Sequence, residues 1–391
     1  MITALRHILN EPYIQALISL IASCWVTIEA IPVINTISRL RNLMKEPETR
    51  SAHESKTPTL GGIAIFAGTM LGYFIWHLEG ETHLHHLAIA GIIILFFTGV
   101  KDDILVIAPM KKMLAQIAAS ALIIIGADLR INDLFGIFGI HQIPYLLSVV
   151  FTIFIFIALT NAINLIDGVD GLAGGIGLIA TMMFGSWFLI NRQYPLAILA
   201  ASLAGGLVGF LRFNFSVTSK IFMGDTGSLI LGFVLTLFAV KFIHLNTGAG
   251  AILDAPILAI VVLIVPIYDT LRVFIIRIMN GRSPFTPDKN HTHHILLAQG
   301  LSHFQVTCIM CAVTLGLTGF FLAIRHTLTT TQSLLILIAM FFLYNYVNYL
   351  LIKRVNYVDP SLRALEQQKM VKREAKARLK KIKRIKKMYE N

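Results

Sequence analysis

Charge is what this sequence has least of. Of 391 residues, 14% are Asp, Glu, Lys or Arg, against about a quarter in ordinary soluble domains. Hydrophobic residues make up 56%, and the mean hydropathy is +0.73. Length alone would allow two or three soluble domains, but a soluble chain this apolar would have no polar surface to show water. Cysteine is scarce too, with three in all. Cys24, Cys308 and Cys311 lie in apolar segments. The Cys308-x-x-Cys311 spacing has no second pair and no nearby histidine, so it reads as helix packing rather than metal or redox chemistry. No short apolar stretch with a small-residue cleavage site opens the chain, so the first segment reads as a retained span. Aromatic-interleaved basic motifs are missing, which leaves nucleic acid without a recognition element.

What the chain does have is long apolar runs. Eleven are long enough to cross a hydrocarbon core of ~30 Å: 13–34, 60–78, 87–100, 113–127, 144–160, 171–190, 196–212, 228–243, 255–272, 305–324 and 332–352. They predict an all-α, polytopic membrane bundle over 1–352, followed by a basic tail, 353–391. The net charge is +12, and most of it sits in that tail, which carries 14 Lys/Arg against 4 Asp/Glu. With the C-terminus cytoplasmic and the N-terminus outside, every Lys and Arg falls inside except Arg6, Arg130, Arg192, Lys241 and Arg325, as the positive-inside rule requires.

That orientation gathers the polar motifs on one side. Lys101-Asp102-Asp103, the run Asn161 to Leu172 with Asn164, Asp167 and Asp170, Phe222-Met-Gly-Asp225-Thr-Gly-Ser228, and Pro287-Asp288 to His294 all lie inside. Adjacent carboxylates repel and raise one another's pKa, so they persist most easily beside a cation. The spacing of three in Asn164-x-x-Asp167-x-x-Asp170 would share a helix face, whereas Gly168 and Gly171 argue for a tight turn close to a ligand. The outer cluster His83, His85, His86 lacks a carboxylate at ligand spacing and reads as a solvated loop. Carboxylates with an amide carbonyl suit Mg²⁺ or Mn²⁺, commonly held by one or two protein groups plus substrate phosphates. Such an ion among lysines, arginines and histidines is the usual equipment of phosphoryl transfer. At the mouth of a membrane bundle, it points to one water-soluble and one lipid-soluble substrate.

These motifs, with Lys56-Thr-Pro-Thr-Leu-Gly61-Gly62 before them and Gly281-Arg282-Ser-Pro-Phe-Thr-Pro-Asp288 leading into the histidines, resemble the polyprenyl-phosphate N-acetylhexosamine-1-phosphate transferases. The likeness is greatest to the bacterial undecaprenyl-phosphate N-acetylglucosaminyl group. It runs in family order across the first 300 residues. The resemblance implies transfer of N-acetylhexosamine 1-phosphate, most simply GlcNAc-1-phosphate, from a UDP-sugar to undecaprenyl phosphate with release of UMP. That would be the first membrane step of cell-surface glycan assembly, on the cytoplasmic face of a bacterial inner membrane. It implies Asn164 and Asp225 as Mg²⁺ ligands (Mn²⁺ being the alternative ion) and Asp102 as the base toward the lipid phosphate. Asp103 and His291 stand beside Asp102 as catalytic groups. Lys56, Asp167, Asp170, Arg282, His293 and His294 would bind substrate.

Three other readings are weaker. Phospho-N-acetylmuramoyl-pentapeptide transferases carry an uninterrupted histidine triplet, whereas His291-Thr-His293-His294 is interrupted. A transporter would place its ionisable groups in mid-span, and Glu29 and Asp269, the clearest acids within spans, are read near inner ends. A nucleic-acid-associated scaffold rests on the tail alone. Residues 361–391 read as a basic segment suited to anionic lipid, at ~1 kcal/mol per basic side chain near the surface. The sequence leaves the oligomeric state open, with a homodimer compatible.

Overall fold

The computed structural model describes residues 9, 11–41, 43–45, 57–76, 83–246, 252, 254–283, 289–355 and 357. Among these the chain is almost wholly helical. In order come α1 (Pro12–Leu40), β1 (Met44–Lys45), β2 (Thr57–Pro58), α2 (Gly61–Phe74), α3 (His83–Leu105) and α4 (Pro109–Gly126). Next are β3 (Asp133–Ile137), β4 (Ile140–Gln142), α5 (Tyr145–Ile166), α6 (Leu172–Ile190), α7 (Tyr194–Asn214) and α8 (Gly224–Leu245). The last are α9 (Ala255–Val262), α10 (Ile264–Met279), α11 (Thr292–Ala298), α12 (His303–Ile324) and α13 (Thr330–Val355). The strands form two small antiparallel pairs, β1 with β2 and β3 with β4.

Nine of the described helices are long and apolar enough to cross a membrane. Each of the eleven predicted runs falls on a helix, but two are not straight spans of full length. α2 has 14 residues, about 21 Å at 1.5 Å per residue. α9 and α10 bend by 77° at their junction. Lys56 and all of the predicted basic tail except 353–355 and 357 lie outside the described residues.

The burial pattern of α1 is that of a helix in lipid. Its buried positions are Ala16, Ser19, Ser23, Thr27, Ile31, Asn35 and Ser38, every third or fourth residue and mostly small or polar. Its large apolar side chains face outward, Ile21 at 56% and Trp25 at 64% exposure. Water would drive the reverse arrangement; in lipid, close packing of small residues holds helices together.

The described residues divide into two compact units. The first takes in residues 1–268 and 302–341, the second 269–301 and 342–391. In the first, α8 is buried along nearly its whole length and packs on α3, α5 and α2, while α7 packs on α1, α2 and α6. The Gly61-Gly62 motif docks the start of α2 on the segment before α8. Phe222 N–H donates to the Pro58 carbonyl at 2.8 Å, and Gly62 N–H to the Met223 carbonyl at 2.8 Å. A side chain at Gly62 would put its Cβ 2.1 Å from the Gly227 nitrogen, so the backbones of α2 and α8 touch there and glycine is obligatory.

Candidate active site

In the first unit, three helices bring polar groups to one end: the last turn of α3, the first of α4 and the first of α8. Asp102 and Asp103, adjacent in sequence, take different roles. Asp103 caps α8 from outside. Its Oδ1 accepts the Asp225 N–H at 2.8 Å, and its Oδ2 accepts the Thr226 N–H at 3.0 Å and the Thr226 hydroxyl at 2.6 Å. First-turn N–H groups have no partner within their own helix, and a carboxylate there also meets the positive end of the helix dipole. Gly224, at φ +71°, makes this approach possible, since a Cβ there would lie 2.7 Å from the Asp103 carboxylate.

Asp102 is buried and turns the other way. Its Oδ1 accepts the Ile107 N–H at 2.7 Å, and its Oδ2 lies 2.6 Å from Nζ of Lys112. The same ammonium lies 3.1 Å from Asp225 Oδ1. Asn164, near the end of α5, donates to Asp225 Oδ1 at 2.5 Å and to Ser228 Oγ at 2.8 Å. The structure therefore pairs Lys112 with Asp102 and Asp225, and brings Asn164 and Asp103 onto Asp225 from its side chain and its backbone. Lys112 belongs to none of the sequence motifs, although its place just past the carboxylates, in the segment predicted inside, was a usable signal.

Asp167 and Asp170 lie on the turn between α5 and α6, so the Asn161–Leu172 motif is helix to Ile166 and turn thereafter. Asp167 is half-buried. Asp170 is fixed by Lys220 Nζ at 2.5 Å and His303 Nδ1 at 2.9 Å. Burial alone would raise its carboxyl; the His303 ring and the Lys220 ammonium outweigh that and hold it below the usual carboxylate range. Asn214 ties this turn to the segment before α8. Its Oδ1 accepts the Gly171 N–H at 2.5 Å, and its Nδ2 donates to the Ile221 carbonyl at 2.8 Å. Neither Lys220 nor His303 stood out in the sequence.

In the second unit, Asp269 organises the histidine segment. It is fully buried. Its Oδ2 lies 2.7 Å from His291 Nδ1, and its Oδ1 accepts the Thr292 N–H at 2.7 Å and the Tyr344 hydroxyl at 3.2 Å. A carboxylate can only accept, so the proton shared with Asp269 sits on Nδ1 of His291. Donor atoms of Asp269, His291 and His293 all lie within 4.8 Å of one another, a two-imidazole, one-carboxylate set suited to a transition metal rather than Mg²⁺. His293 is buried, His294 and Arg282 half-buried. The expected histidine loop His83, His85, His86 is instead the first turn of α3, with His85 buried.

For a hard divalent cation the donors of the first unit fit. Asp225 keeps 27% of its side chain exposed beside the Asn164 amide. Asp102 and Asp225 face a single ammonium, and Asp103 sits beside them on the start of α8, so carboxylates outnumber the one lysine that pairs with them.

Long helices with lipid-type outer faces and a carboxylate–lysine–amide cluster at one end define a multi-pass membrane protein with a polar site at its helix ends. Residues 85–243 match the model for glycosyl transferase family 4. The chain is 30% identical over 323 residues to the "Probable undecaprenyl-phosphate N-acetylglucosaminyl 1-phosphate transferase" of Bacillus subtilis (strain 168), covering 81% of this chain and 85% of that one. It is 27% identical over 322 residues to the undecaprenyl-phosphate alpha-N-acetylglucosaminyl 1-phosphate transferase of Escherichia coli (strain K12), covering 79% and 84%. It is 31% identical over 326 residues to the decaprenyl-phosphate N-acetylglucosaminephosphotransferase of Mycobacterium leprae (strain TN), covering 75% and 80%. The chain belongs to glycosyl transferase family 4.

Proposed function

We propose that this protein transfers N-acetylglucosamine 1-phosphate from UDP-N-acetylglucosamine to undecaprenyl phosphate and releases UMP. A lipid phosphate oxygen attacks the sugar-bearing phosphorus, the bond from that phosphorus to the bridging oxygen breaks, and UMP leaves with the bridging oxygen. The observation that carries this reading is the Asp102–Lys112–Asp225 chain with Asn164 against it. The named activities of the relatives in Bacillus subtilis and Escherichia coli agree with it.

Asp225 and Asn164 would hold Mg²⁺, with Mn²⁺ as the alternative, and the ion supplies neutralisation of charge on the transferring phosphoryl group. Lys112 holds the Asp102 and Asp225 carboxylates in place and presents an ammonium where phosphate oxygens gather. Asp102 accepts the lipid phosphate's proton; the second pKa of a phosphate monoester is about 6, so a modest base suffices. Asp167 and Asp170, on their anchored turn, face the nucleotide. Arg282, His291, His293 and His294 contact the pyrophosphate and sugar, with Asp269 fixing the His291 tautomer. Lys56 neutralises phosphate.

The same reading sets the protein in a bacterial inner membrane with eleven crossings, the N-terminus outside and the site on the cytoplasmic face. The tail would rest on anionic lipid, and the product would enter cell-surface glycan assembly. The test is purified protein with undecaprenyl phosphate, Mg²⁺ and a panel of UDP-sugars, following UMP. Release should be fastest with UDP-N-acetylglucosamine and should need the lipid. UMP formed equally without the lipid would refute the transfer.

A further inference from the structure

The helices that build the carboxylate cluster at one end build a second polar site at the other. α3 runs 23 residues, about 34 Å, from His83 to the turn that holds Asp102. α4 and α8 run back from Lys112 and Asp225. At this far end lies a cavity of about 440 Å³ lined by His83, Leu84, Ile125, Asp128, Lys241 and His244, among others.

The charge in this cavity is uncompensated. Asp128 is its only carboxylate among the described residues, and Arg130 engages it, Nε to Oδ1 at 2.7 Å. Lys241 is half-buried and has no hydrogen bond or ion pair among the described residues. α4 and α8 both end near this cavity, yet among the described residues the ammonium bonds to no carbonyl of either. An ammonium drawn partly out of water without a partner carries a desolvation cost. Beside it are two imidazoles and the opening turn of α3, whose first N–H groups have no partner within the helix. Ammonium, imidazole and a helix N-terminus together are the chemistry that holds phosphate. Leu84, Ile125 and Leu129 give the cavity apolar walls. At the end of helices of membrane-spanning length, those walls suit the uncharged part of a lipid.

We propose that this cavity, with Lys241 as its charged centre, binds a phosphate group at the end of the bundle remote from Asp225. An anionic phospholipid headgroup is the source its apolar walls favour. The site is independent of the transfer reaction, so its fate and that of the proposed activity separate.

The test compares full-length wild type with Lys241→Gln in neutral detergent, by thermal melting. Three arms titrate phosphatidylglycerol, phosphatidylcholine, and inorganic phosphate at chloride-matched ionic strength. Removing an unpartnered charge should not impair folding. Phosphatidylglycerol should raise the wild-type midpoint more than phosphatidylcholine does, and Lys241→Gln should need at least about tenfold more of it for the same shift. Lys241→Arg should titrate like wild type. His83→Gln should weaken the response in the same direction without touching Lys241. A response to inorganic phosphate that equals the lipid's would keep the phosphate site and replace the lipid as its source. Variant and wild type titrating alike in every arm would overturn the proposal.

Discussion

Nζ of Lys112 lies 2.6 Å from Oδ2 of Asp102, so the first turn of α4 is bound to the last turn of α3 by an ion pair that is almost closed to water. The same nitrogen reaches Asp225 on α8. One side chain thus holds three helix ends in register. Lys112→Gln should lower UMP release by on the order of 10²–10³-fold, the usual cost of losing one preorganised charge-stabilising donor. Lys112→Arg should recover part of that. A Gln variant turning over at the wild-type rate would reduce Lys112 to a surface charge.

The two neighbouring aspartates should separate. Asp102→Asn keeps the side-chain volume and one acceptor, so it should abolish turnover while UDP-sugar affinity, read by calorimetry, changes little. Asp103→Ala removes the acceptor of two N–H groups and a hydroxyl at the start of α8. It should therefore lower stability by about 2–3 kcal/mol and lower activity through folded fraction. If Asp103→Ala melted like wild type, the cap would be ornamental.

That division could not be read from the chain. Asp102-Asp103 is visible in sequence as a carboxylate pair wanting a cation, but the cation, Lys112, sits in an ordinary basic pair, and the Asp103 partners lie 122 residues away. Runs of apolar residues were legible because a helix in lipid needs them over its whole length. Local breaks were harder. The His83–His86 run is polar enough to pass for loop, yet it opens α3 and buries His85. The Asn161–Leu172 motif supported both a helix and a turn, and is one followed by the other. Lys220 and His303 carry no pattern; only the folded chain brings them to Asp170.

The Asp170 anchor gives a pH signature with a definite sign. Its carboxyl is held below the ordinary value, so the ion pairs contribute stability that is complete above the unfolded pKa, ~4. That contribution fades as the pH falls through the depressed folded value. The melting difference between wild type and Asp170→Asn should be full at pH 6 and shrink below about pH 4. A difference that grew on acidification would contradict the assigned direction.

The last expectation concerns the divalent ion. Asp102, Asp103 and Asp225 bring three negative charges to the ends of α3 and α8, and Lys112 returns one. The carboxylates outnumber the ammonium, and two substrates bearing phosphates must approach them. Without a divalent cation, carboxylates and phosphates would repel at the point where reacting oxygens have to meet. Excess EDTA should therefore stop UMP release, and Mg²⁺ should restore it. Because the ion would relieve repulsion already present without substrate, Mg²⁺ should also raise the melting midpoint of the substrate-free wild type. Asp225→Asn removes one of those charges and a partly exposed oxygen ligand. It should abolish turnover, fold normally and lose most of the Mg²⁺-dependent rise in midpoint. Asn164→Ala, which leaves the charge but takes away the amide, should keep the rise while needing more Mg²⁺ to reach it. If Asp225→Asn kept the full Mg²⁺ response, the ion would have to bind elsewhere, and the two-imidazole set at Asp269 would be the next place to look.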